Sequence, residues 1–171
     1  YNELLVKKGK TEAIQFANQY VNLVFLITTA VSIIGLLFAD LLVGLLAPDI
    51  AEGTKALASV LTRIMFPMII FTGFACSYTG ILQSMGEYKI PALISLVSNS
   101  VLVIYFYTFN NRFGIYGLSV AMLAGWFLQA AIQIPKLRSF GYKWKPSVKI
   151  VSPYIKRAAM MGALILVGTW T

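Results

Sequence analysis

The chain has 171 residues, 58% of them hydrophobic and 12% charged, with a formal net charge of +8 at pH 7 and a mean hydropathy of +0.78. That charged share is about half the usual figure for soluble domains, and a soluble core of this length could not hide so much apolar surface. There is no His and a single Cys76, which excludes an imidazole base and an internal disulfide.

The apolar residues come in long runs. Runs of about eighteen or more read as membrane spans, and inside lipid only helices or closed barrels satisfy their own backbone polar groups. The strict alternation of a barrel is absent, so the predicted fold is an all-α, polytopic membrane helix bundle. The first span is predicted over residues 17–39, roughly 34 Å of helix, ended by Asp40. "LLVGLLAPD" then reads as a short helix at the interface. A mixed-polarity helix follows over 52–61 and leads into a second span over 63–83, with Pro67 predicted to kink it. The polar island "SMGEYK" joins this to a third span over 90–109, with Pro91 in its first turn, where a missing N–H costs little. The fourth span covers 115–134, closed by Pro135. A basic loop over 135–152 precedes a fifth run, 158–171, too short to cross. The chain opens on Tyr1 within a helical pattern and stops inside that run, so it is expected to be a fragment of one bundle in a larger protein. No signal peptide is visible.

Sorting the cations by loop gives an uneven split. Lys7, Lys8, Lys10, Lys89, Lys136, Arg138, Lys143, Lys145, Lys149, Lys156 and Arg157 fall on one side; Lys55, Arg63 and Arg112 fall on the other. The positive-inside rule places loops 84–89 and 135–152 in the cytoplasm. Anionic membrane lipids are expected partners, and the position of the basic loop between spans argues against nucleic acid. Trp144, Tyr142 and Tyr88 suit the inner interface, Tyr105 and Tyr107 the outer one. The six acids, Glu3, Glu12, Asp40, Asp49, Glu52 and Glu87, avoid the middle of every span and form no credible carboxylate pair. No catalytic residue, cofactor or metal is expected, and the chain reads as a transporter rather than an enzyme.

The remaining signal is helix packing. Gly117, Ala121, Gly125, Gln129 and Gln133 recur every four residues, letting helices approach closely while Gln side chains bond across. Thr72, Cys76, Thr79 and Gln83 share a face beside Gly73, Ser77 and Gly80, with Cys76 read as a small packing residue. Ser95, Ser98 and Asn99 share another face, as do Asn18 and Asn22. Asn99 and Gln129 are candidate cavity residues, because amides at membrane depth are costly. Arg63, near the outer end of its span, is a third candidate; alternatively it snorkels to the interface.

The ordered blocks "YNELLVKKGKTEAIQFAN", "LLAPDI", "LTRIMFPMIIFTGFACSYTGILQSMGEYKIPALISLVSNSVLVI" and "GIYGLSVAMLAGWFLQAAIQIPKLRSFGYKWKP" resemble the MurJ/MviN family of lipid II flippases over nearly the whole chain. Asp49 and Ala163 depart from the family's usual Gly and Pro. The resemblance implies a fourteen-helix transporter of two pseudo-symmetric six-helix bundles and a C-terminal pair. This chain would hold the third to sixth helices and the start of the seventh. It implies lipid II, or a similar polyprenyl-pyrophosphate-linked substrate, moved outward across the bacterial cytoplasmic membrane by alternating access in cell-wall synthesis. The family's basic cavity residues lie mainly on its first, second and eighth helices and have no counterpart here, so the rest of the transporter would be a necessary partner. A flippase for another lipid-linked oligosaccharide, a multidrug exporter of the same superfamily and a non-transporting membrane scaffold remain alternatives.

Overall fold

Long apolar runs separated by breaks that carry glycine or proline fold as helix after helix. The computed structural model describes residues 9–146. It contains α1 (Lys10–Leu37), α2 (Ala39–Leu46), α3 (Glu52–Met65), α4 (Met68–Ser84), α5 (Lys89–Thr108), α6 (Asn110–Ala131) and α7 (Ile134–Ser139), with no strand among the described residues. Four stretches are long and apolar enough to cross a membrane: Lys10–Leu37, Glu52–Ser84, Lys89–Thr108 and Asn110–Ser139. The chain is an all-helical bundle of the membrane-spanning kind, as expected. The fifth run at 158–171, Ala163 and the charges of 1–8 and 147–157 lie outside the described residues.

The helix breaks have local causes. At Phe66–Pro67 the ladder between α3 and α4 is interrupted, because Pro67 has no N–H to donate and its ring crowds the preceding turn. Gly114, with φ 51° and ψ −140°, breaks helical geometry inside α6, so the regular part of that span begins just beyond it. Helices α4 and α7 end alike. In the first, Gly86 N–H donates to the Gln83 carbonyl and Glu87 N–H to that of Leu82; in the second, Gly141 N–H donates to Arg138 and Tyr142 N–H to Leu137. Both glycines have positive φ, 79° and 84°, the left-handed stop that glycine adopts without strain. Helix α6 ends at Ala131, and a turn at 132–133 leads to Pro135. This proline sits in the first turn of α7, where its fixed φ suits a helix start, and the chain runs on helically to Ser139.

Helix α5 packs chiefly along α6, α4 along both α1 and α6, and the α2 helix against α3. The core is built at one end of the bundle, from Ala17, Val21, Tyr78, Ile81, Leu82, Leu137 and Tyr142. Many large apolar side chains point outward instead, among them Ile27, Ile34, Leu37, Val103, Ile104, Phe106, Val120 and Phe127. In water such a surface would drive aggregation; in lipid it is the solvated face. Two expected interface aromatics turn inward. Tyr105 is buried and its hydroxyl donates to the Gly114 carbonyl, capping the broken start of α6. Tyr142 is buried against Tyr78. Tyr88 and Tyr107 are exposed.

Candidate functional site

The polar groups of the bundle fall into three places. The first is the seam between α4, α5 and α6. Gln129, buried on α6, donates from Nε2 to the Ser98 hydroxyl of α5 at 2.7 Å. One turn on, Gln133 is 0% exposed. Its Nε2 donates to the Ala75 carbonyl of α4 at 3.1 Å and to the Gln129 carbonyl at 3.0 Å, while its Oε1 accepts from the Thr79 hydroxyl at 3.1 Å. Gln133 is thus bonded through both ends of its amide, chiefly to α4, and Gln129 through its nitrogen to α5. Asn99 is different: it is exposed on α5 and makes no hydrogen bond among the described residues.

The small residues of α6 serve the same seam unevenly. A Cβ at Gly117 would collide with the Tyr105 hydroxyl and lie 2.9 Å from its ring. At Gly125 it would meet Ser98 at 3.4–3.5 Å, ordinary contact or slightly tighter. The tightest approach is therefore Gly117, with Ala121 buried between the two. Cys76, expected as a packing residue, is exposed, and a Cβ at its neighbour Gly80 would meet nothing. The buried face of α4 is the one bearing Ala75, Ser77, Tyr78, Ile81 and Leu82.

The second place is the end where α1 gives way to α2. Arg63 Nη2 lies 2.6 Å from Asp40 Oδ2, with both side chains substantially exposed. An exposed pair of this kind contributes about 0–1 kcal/mol. Arg63 therefore has a carboxylate partner that its sequence neighbourhood does not announce.

The third place is the opposite end, where Lys10, the α4–α5 turn, α7 and the segment 141–145 meet. Glu87 Oε2 pairs with Lys136 Nζ at 2.9 Å, and its Oε1 accepts the Lys89 N–H at the start of α5 at 3.0 Å. The hydrogen bond from Lys136 holds the Glu87 carboxyl below its ordinary value. Lys136 also stands over the Phe140 ring, 5.3 Å from its centroid. Beyond Gly141 the chain folds back on α1. Asn22 Oδ1 accepts from Trp144 Nε1 and Asn22 Nδ2 donates to the Lys145 carbonyl, each at 2.9 Å; Lys145 N–H donates to Asn18 Oδ1 at 3.1 Å. The Trp144 ring packs edge-on to Phe25 and Phe74, at 5.7 and 5.1 Å. Burial pushes the Tyr142 phenol well above its ordinary range, and the Tyr78 phenol adds to this. Among the described residues its hydroxyl has no partner.

The bonds of Gln129 and Gln133 across to neighbouring helices follow the sequence expectation; sequence reasoning did not find this clasp, nor the Asp40 partner of Arg63. The available signal was two Asn one turn apart at the polar end of a span, which need partners if buried. No group of three or more His, Cys, Asp or Glu that could hold a metal occurs among the described residues.

Apolar helices facing outward, joined inside by amide and hydroxyl bonds, define a multi-pass helical membrane protein. The chain belongs to the MurJ family: the family model described as lipid II flippase MurJ matches residues 1–170. It is 30% identical over 135 residues to a probable lipid II flippase MurJ of Buchnera aphidicola, covering 77% of this chain and 26% of that one. It is 28% identical over 111 residues to a lipid II flippase MurJ of Burkholderia cenocepacia, covering 63% and 22%. It is 26% identical over 149 residues to a probable lipid II flippase MurJ of Bdellovibrio bacteriovorus, covering 79% and 28%. The chain thus spans about a quarter of the length of the curated relatives it matches.

Proposed function

We propose that the chain is part of a lipid II flippase of the bacterial cytoplasmic membrane, a transporter and not an enzyme, working by alternating access in cell-wall synthesis. The family match over residues 1–170 carries this reading, and the relatives' names agree with it. Alternating access is the rocking of one bundle against another around a site between them. The four candidate spans described here supply most of one bundle, and the rest of the transporter chain supplies the other. The end bearing Lys10, Lys89, Lys136, Arg138, Lys143 and Lys145 faces the cytoplasm, by the positive-inside rule. Asp40, Asp49, Glu52 and Arg112 then lie outside.

A pyrophosphate crossing hydrocarbon needs cations in a wet cavity. Arg63 is already paired with Asp40, so the charges that follow the substrate come from other helices. Asn99, exposed and without a partner among the described residues, offers an uncharged amide to the substrate. Gln129, held by Ser98, acts by keeping α5 and α6 together. The test is the full-length protein in liposomes with labelled lipid II and an outer-leaflet accessibility assay. Full-length protein flips; Asn99→Ala slows flipping several-fold without abolishing it; residues 1–171 alone do not flip. A folded full-length protein that moves no lipid II would overturn the assignment.

A further inference from the structure

Between the first turns of α1 and the segment 141–145 lies an open groove of about 460 Å³. Thr11, Gln15, Asn18 and Gln19 line it from α1, and Lys143 and Lys145 from the clasp segment. Lys10 reaches the same place: its Nζ would lie 3.4 Å from a Cβ on Gly141. None of the three lysines is in an ion pair among the described residues, no carboxylate lines the groove, and Glu87 is engaged by Lys136. Among the described residues Gln15, Gln19 and Thr11 make no side-chain hydrogen bond, and Asn18 uses only its carbonyl oxygen. The groove therefore presents three ammonium groups and several uncommitted amide donors, a set that suits an anionic oxygen-rich group such as a phosphate.

Its depth narrows the ligand. Helix α1 has 28 residues, about 42 Å at 1.5 Å each, while the hydrocarbon core is about 30 Å thick. With Leu37 at the far edge, the near edge falls close to Ala17, in the middle of the groove wall. The groove thus straddles the hydrocarbon–headgroup boundary, where the phosphate of a lipid lies. Trp144, whose indole is held by Asn22 beside it, is the kind of residue that settles at that level.

We propose that this groove binds the phosphate of a lipid headgroup from the leaflet at the basic end. An anionic phospholipid and a polyprenyl diphosphate present the same chemistry there. The measurement needs no flipping, so its failure would leave the transport reading standing, and failure of transport would leave the binding intact.

The full-length protein is purified in neutral detergent and titrated with phosphatidylglycerol, with undecaprenyl diphosphate and with zwitterionic phosphatidylcholine, bound lipid being counted by native mass spectrometry. The variant is Lys143→Gln/Lys145→Gln. The Lys145 bonds to Asn18 and Asn22 are made by its backbone, so the clasp survives the change, and an unaltered Trp144 emission checks this. Arg112→Gln, at the other end, is the control, and Lys143→Arg/Lys145→Arg restores the charge. Affinity for phosphatidylglycerol, for undecaprenyl diphosphate or for both falls at least about tenfold in the Gln variant, the size expected for losing two charge-assisted contacts. The control and the Arg variant bind as wild type. Which lipid loses affinity names the occupant. Undiminished binding in the Gln variant, loss in the Arg variant as well, or no preference for either anionic lipid over phosphatidylcholine would overturn the proposal.

Discussion

Gln133→Leu isolates what the buried amide contributes to the joint between α4 and α6. The side chain is fully buried and makes two bonds to α4, from Nε2 to the Ala75 carbonyl and from the Thr79 hydroxyl to Oε1. Interhelical hydrogen bonds in membrane proteins average about 0.6 kcal/mol each, so losing both costs about 1.2 kcal/mol. No large further penalty arises, because Leu nearly keeps the volume and the freed Thr79 hydroxyl turns onto its own helix. Thr28 and Thr72 already bond the carbonyl four residues back at 2.8 and 2.9 Å. Gln133→Ala leaves a cavity as well, and the cost rises to the roughly 2–5 kcal/mol of truncating a large buried side chain. Reversible unfolding of the full-length protein in mixed micelles reads both. A double cycle with Thr79→Val isolates a coupling of about 0.6 kcal/mol. If Gln133→Leu costs as much as Gln133→Ala, or the coupling with Thr79 is zero, the hydrogen bonds are not what the joint depends on.

Gly117→Ala destabilises by about 1–3 kcal/mol through overpacking against Tyr105, whereas Gly80→Ala, with nothing within 4 Å of its new Cβ, leaves the melting temperature unchanged; equal shifts would contradict this packing. Tyr142→Phe removes a buried hydroxyl that has no partner among the described residues and raises stability by about 1 kcal/mol, the lower part of the cost of an unsatisfied group; a lower melting temperature would reveal a partner. The Glu87 carboxyl is held below its ordinary value by the hydrogen bond from Lys136, so the Glu87–Lys136 pair contributes fully above that ordinary value and is lost as pH falls through the depressed one. The gap in melting temperature between wild type and Glu87→Gln accordingly closes on acidification, and a gap independent of pH would refute the linkage. In a Cys76→Ala background, Lys145→Cys resists an impermeant thiol reagent in intact cells and labels after permeabilisation; labelling from outside would reverse the orientation.

The helices were legible because lipid imposes a simple condition, long apolar runs with their own backbone bonds, and the breaks at Gly86 and Gly114 mark where that condition ends. Local chemistry was legible too, as at Pro67, where a missing donor acts on its own turn. What depended on distant partners was not. Gln129 and Gln133 look alike in sequence, yet only Gln133 spans to α4, because the turn between α6 and α7 is what lies against Ala75 and Thr79. Cys76 and Ala75 are adjacent and small, yet α4 is rotated so that Ala75 is buried and Cys76 exposed. Asn18 and Asn22 carried a visible demand for partners, but nothing near them in the chain could say that Trp144 and Lys145 meet it.

That last separation has a consequence for how the protein comes into being. Asn22 bonds to a carbonyl 123 residues further along, and chains emerge from the ribosome N-terminal end first, at about 5–20 residues per second. Helix α1 enters the membrane with both amides unclaimed. It must wait for the three candidate spans that follow it among the described residues, and for Trp144 to reach the slot between Phe25 and Phe74, before this end is complete. Insertion of these spans is sequential, but the clasp at this end closes only after the fourth of them, made by the segment that follows it.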